Sequence, residues 1–163
     1  MTCAALALLG CTAKHDWREV HDAESRFTVL MPIKPATLAR PINLDGTNVT
    51  MTMTAAEVDG VTFAVASAQL PGGAAARAAL DNMKISLVKN INGSIKHEKR
   101  SAPAEPVSTI DIEAGGTRSG QPYLLVAHFA AKDTRAYQVI VVGREQAVTR
   151  EAADTFLTSF KLN

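Results

Sequence analysis

Two apolar runs, separated by the polar tetrad Lys132-Asp133-Thr134-Arg135 within residues 121–142 (QPYLLVAHFAAKDTRAYQVIVV), constrain this chain more than any other stretch. Short apolar runs either side of a polar tetrad predict a β-hairpin. In the first run Tyr123, Leu125, Ala127 and Phe129 share one face, and Leu124, Val126, His128 and Ala130 share the other. In the second, Tyr137, Val139 and Val141 oppose Ala136, Gln138, Ile140 and Val142. Neither face is polar. A hairpin with one solvated face alternates apolar with polar residues, so this one needs cover above and below. Two amphipathic helical stretches, 74–92 and 149–160, supply one cover each. The expected fold class is therefore α+β, a single antiparallel β-sheet flanked by one helix on each face.

Phe27 to Met31 predicts a strand stopped by Pro32, and prolines 32, 35 and 41 predict an irregular connection over 32–46, because proline has no N–H for a ladder. Over 48–58, Val49, Met51, Met53 and Ala55 alternate with Thr50, Thr52 and Thr54, and Asp59-Gly60 turns this strand into a partner over 61–70. Ala76, Leu80, Met83, Leu87 and Ile91 recur at helical spacing, with Gly73 as N-cap and Asn92-Gly93 as the left-handed stop. Strands are expected over 95–100 and 107–114, joined to the central hairpin by a loop over 115–120. Val148, Ala152, Phe156 and Phe160 form the stripe of the last helix, capped by Thr149.

Lys and Arg number 17 against 16 Asp and Glu, mixed along the chain, so no field steers it to nucleic acid. No apolar run approaches the roughly 20 residues of a membrane span. The longest such run lies in residues 1–11, MTCAALALLGC, and the chain turns polar directly after it. This segment resembles a bacterial lipoprotein signal peptide. The resemblance implies cleavage after Gly10 and lipidation of Cys11, with Thr12 in place of aspartate favouring the outer membrane. The tract has no preceding Lys or Arg, and Leu9 stands where such signals carry a smaller residue; a start further upstream would supply the basic region. Residues 1–11 are thus expected to be a signal ending at Cys11, and 12–163 a single lipid-anchored domain facing the periplasm. Loss of Cys3 with the signal leaves Cys11 as the sole cysteine, which excludes an intrachain disulfide and any cysteine-built metal site.

Catalytic and cofactor motifs return nothing. The glycines of 115–120 lack the Gly-Lys-Ser/Thr ending of a phosphate loop, and neither Ser94 nor Ser119 sits in a nucleophile elbow. Histidines 15, 21, 97 and 128 show no metal-ligand spacing, and His128, on a central strand, reads as a hydrogen-bonded core residue. The basic run Lys96, His97, Lys99 and Arg100, interrupted by Glu98, reads as an edge strand guarded by charge. No cofactor and no metal are expected.

Three stretches carry a second resemblance: Phe27-Thr28-Val29-Leu30-Met31-Pro32 with Pro35, Arg135-Ala136-Tyr137-Gln138, and Phe156-Leu157-Thr158-Ser159-Phe160. Together with the element order they are similar to the PsbP-like α/β/α sandwich of small envelope and lumenal proteins. That family implies a non-catalytic partner or assembly factor. The expected function is a cell-envelope binding module for a protein partner, contacted through Pro32, Lys34, Pro35, Arg40 and Pro41. The alternative is a small enzyme whose site gathers His128, Tyr137, Asp111 and Glu113.

Overall fold

Period-two patterning decides most of this molecule, and the computed structural model, which describes residues 14–163, shows how. The segment expected to be a signal, residues 1–11 with Cys11, lies outside the described residues. In chain order come β1 (Arg18–Asp22), β2 (Phe27–Met31), β3 (Ala36–Leu44), β4 (Thr47–Val58), β5 (Val61–Gln69), α1 (Gly73–Asn90), β6 (Ser94–Arg100), β7 (Ser108–Arg118), β8 (Gln121–Lys132), β9 (Arg135–Arg144), α2 (Arg150–Ser159) and β10 (Lys161–Leu162). Seven strands form one sheet in the order β3-β4-β5-β9-β8-β7-β6, every pairing antiparallel. The β8–β9 hairpin is central, and both of its faces are covered as its composition demands.

The two helices lie on opposite faces. Ala76, Ala79, Leu80 and Met83 of α1 pack with Ala64, Ala66, Ile110, Leu125, Phe129 and Ile140. Ala152, Ala153 and Phe156 of α2 pack with Phe63, Val65, Val139 and Val141, the alternate residues of the same strands. Cap and stop follow the sequence: the Thr149 hydroxyl accepts the Ala152 N–H at 3.3 Å, and Asn92 takes φ 46 after α1. The N-cap of α1 is Gly72, one residue before the expected Gly73.

The expectation of a single sheet is corrected. β1, β2 and β10 form a separate three-stranded sheet on the α2 side. A ten-residue helix is only about 15 Å long and cannot cover that face alone. Phe27, Val29 and Met31 of β2 complete the core beside Phe156.

The 115–120 loop is corrected too. β7 continues through Gly115 and Gly116 to Arg118, and the turn is only Ser119-Gly120, with φ 49 and 72. A Cβ on Gly116 would lie 2.1 Å from the Ile91 carbonyl oxygen, which accepts the Thr117 N–H at 2.7 Å. Glycine there serves the close approach of the end of α1 to the sheet.

Candidate functional site

The proline-containing segment expected to be an irregular connection holds β3, an edge strand of the large sheet. The physical reason lies in the register. β3 and β4 are joined by Asp45-Gly46, both left-handed (φ 51 and 82), with Leu44 opposite Thr47. A two-residue turn of this kind makes its flanking residues a mutually hydrogen-bonded pair, and such pairs then recur at every second residue. Residues 36, 38, 40, 42 and 44 therefore bond to β4, while Thr37, Ala39, Pro41 and Asn43 direct their backbone groups to the open side. Pro41 sits where its missing N–H costs the ladder nothing.

The expected contact residues divide on this edge. Pro32 is buried and its carbonyl accepts the Asp16 N–H at 2.7 Å, so it anchors the N-terminal segment; it is not an available contact. Pro35 is half-buried. Lys34, Arg40 and Pro41 are exposed, and neither Lys34 nor Arg40 has a carboxylate within 4 Å among the described residues. Between the two cations lie Pro35, Ala36, Thr37, Leu38 and Ala39. Leu38 is 54% exposed, and Met53, opposite it on β4, is 37% exposed. The sequence marked this stretch as surface but missed the strand; what it lacked was the knowledge that β3 is an edge.

A second candidate region is a cleft of about 370 Å³ on the α2 face, walled by Leu157 and Thr158 and floored by β6, β7 and β8. Pairing places Lys99, Asp111 and His128 in one row across these strands, and His97, Glu113 and Val126 in the next. His128 Nδ1–H donates to Asp111 Oδ1 at 2.7 Å. Its ring lies 6.0 Å from that of Phe160. Glu113 Oε2 accepts from both Arg150 terminal nitrogens at 3.1 Å. Three of the four catalytic candidates thus converge. The fourth, Tyr137, does not: its hydroxyl donates to the buried Ser25 carbonyl at 2.9 Å, and burial pushes its phenol up in pKa. His128 is hydrogen-bonded as expected, but half-buried at the cleft and not in the core. The cleft walls on α2 and the row partners Lys99 and His97 were not legible, because they follow from strand register.

Among the described residues no group of three or more His, Cys, Asp or Glu side chains is placed to hold a metal ion. No helix among them is long and apolar enough to cross a membrane. The chain matches no family model and no curated protein.

Proposed function

We propose that this chain is a lipid-anchored cell-envelope protein, tethered through Cys11, whose PsbP-like domain binds a protein partner by accepting a strand on β3. One observation carries the reading: Thr37 and Ala39 hold unpaired outward backbone groups beside the exposed Leu38 and Met53. Strand addition draws affinity from such backbone groups and specificity from alternate side chains. Lys34 and Arg40 bracket the segment without carboxylate partners among the described residues. The matching occupant is an extended apolar segment of another envelope protein with acidic residues at its ends. Apolar contact with Leu38 and Met53 sets its register, and Pro41 limits pairing to the N-terminal half of β3.

The test uses Ala39→Pro, which removes an outward N–H and leaves the ladder to β4 intact. With a photo-crosslinker at position 38 in the native envelope, wild type captures a partner at one defined position of that partner's chain, and Ala39→Pro loses it. Equal capture by both chains sinks the strand-addition reading. Lipidation is tested separately, by incorporation of a fatty-acid analogue that disappears in Cys11→Ser.

A second reading, a small envelope enzyme, is favoured by the 2.7 Å contact between His128 and Asp111 in an open cleft. Asp111 holds the Nδ1 proton and leaves Nε2 free as a base. Hydrolysis of ester probes that vanishes in His128→Gln would move the assignment to this reading.

A further inference from the structure

The far end of the α1 face carries a polar pocket unrelated to β3 or to the histidine cleft. Its walls are set by close backbone packing. A Cβ on Gly143 would lie 3.0 Å from the Gly60 carbonyl oxygen and 3.1 Å from Val61 Cα, so glycine there lets the Asp59-Gly60 turn press against the end of β9. The neighbouring Arg144 is thereby brought beside that turn. Register puts Tyr123 opposite Arg144, and the tight turn at Ser119-Gly120 returns Arg118 to the same place. Arg118 Cζ lies 5.2 Å from the centroid of the Tyr123 ring, a stacking distance. The pocket is partly open to solvent and has a volume of about 470 Å³, within the range of sites for small molecules.

The charges in this pocket are not used up by one another. Among the described residues neither Arg118 nor Arg144 has a carboxylate within 4 Å, and Glu57, also on the wall, has no cation within that distance. Asp59 is taken by Lys14 at 3.0 Å, and Glu145, next to Arg144 in sequence, is drawn to Lys96 at 3.5 Å. Two arginines and one glutamate without ionic partners among the described residues thus line a common pocket, together with Thr62 and Tyr123.

We propose that this pocket binds a small dipolar ligand, a phosphate- or carboxylate-type oxyanion that also carries an amino group. Arg118 and Arg144 receive the oxyanion, since guanidinium forks match its oxygens in pairs. Glu57 receives the amino group. This assignment is independent of the strand-addition reading, because no pocket residue belongs to β3.

Isothermal titration with O-phosphoethanolamine and with inorganic phosphate tests it. Arg118, Arg144 and Glu57 are exposed, so Arg118→Gln, Arg144→Gln and Glu57→Gln should keep the wild-type melting curve. O-phosphoethanolamine is expected to bind saturably and more tightly than phosphate. Each arginine substitution weakens it by about tenfold, and Glu57→Gln brings it down to the affinity of phosphate. Vesicles containing phosphatidylethanolamine separate two sources of the same chemistry. Vesicle binding that falls in the same variants assigns a lipid headgroup, and binding of the soluble compound alone assigns a free metabolite. Absence of saturable binding to any probe, or affinities that the three substitutions leave unchanged, overturns the proposal.

Discussion

The two edges of the seven-stranded sheet are protected in different ways. β6 has the sequence SIKHEKR, every residue exposed, with a register shift between Ile95 and His97. Charge and a bulge both discourage an incoming strand. Its α1 side is also clamped: Lys84, almost buried, bridges Asp81 and Glu98 at 3.1 Å, and Arg100 reaches both carboxylates. β3 has nine residues, one charge, no register shift and an exposed leucine. Its protective devices are the lone charge of Arg40 and Pro41, which blanks one outward donor; Thr37 and Ala39 stay addressable. One edge is closed by charge along its length; the other is closed over half of it. The contrast identifies an edge that is kept open.

The largest effect of a single substitution is expected at the centre of the sheet, where neither device operates. Val139 on β9 is fully buried between β5 and β8. Val139→Asp places an unpaired charge there at a cost of several kcal/mol, against a total stability of about 5–15 kcal/mol. The domain is expected to be unfolded by circular dichroism. Leu38→Asp, on the open edge, should shift stability by less than about 0.5 kcal/mol. Comparable melting losses in the two variants would mean that β3 is not an exposed edge.

The β6 clamp gives a smaller and pH-dependent effect. The Arg100 hydrogen bond, and then Lys84, hold the Asp81 carboxyl down to about 2 from 3.8, with burial opposing them. Arg100 and Lys84 lower Glu98 in the same way. A depressed carboxylate stabilises the fold above its unfolded pKa and loses that contribution as pH falls through its folded pKa. Melting temperature should therefore drop between about pH 4 and pH 2 by more in wild type than in Asp81→Asn. Arg40→Gln on the opposite edge should follow the wild-type slope. Lys84→Met, which leaves two part-exposed carboxylates to Arg100 alone, should cost about 1–2 kcal/mol at neutral pH. A pH profile identical in Asp81→Asn and wild type would show that the clamp adds nothing to β6.

Legibility in the sequence follows the range of the interactions involved. The central hairpin, the alternation of Val49, Met51 and Met53 with threonines, the α1 stripe and the Thr149 cap are local patterns, and the structure contains each of them. The second sheet was not legible, because the pairing of β2 with β10 joins residues at opposite ends of the described chain. Gly115 and Gly116 looked like a loop because their neighbours, the Lys96 side chain beside Gly115 and the Ile91 backbone beside Gly116, are tertiary. Pro41 argued against a strand only while β3 was treated as interior. The meeting of His128, Asp111 and Glu113 needed the register of β7 with β8, which period-two patterning leaves open by any even number of residues.

The smallest effect on stability is expected from a substitution that converts one edge toward the other without touching the core. Pro41→Thr restores an outward N–H opposite Thr50, extending the addressable run from Ala39 to Asn43. The side chain stays exposed and the pairing to β4 is unchanged, so stability should move by less than about 0.5 kcal/mol. Association should not stay constant. With four successive outward positions available, two copies can pair β3 against β3 with residue 39 opposite residue 41 of the other copy; this register sets Arg40 opposite Arg40, so the pairing should strengthen at high salt. Sedimentation velocity should show a concentration-dependent dimer in Pro41→Thr that wild type lacks, and Ala39→Pro in the same chain should remove it. A strictly monomeric Pro41→Thr at millimolar concentration would show that something other than the missing donor closes the C-terminal half of this edge.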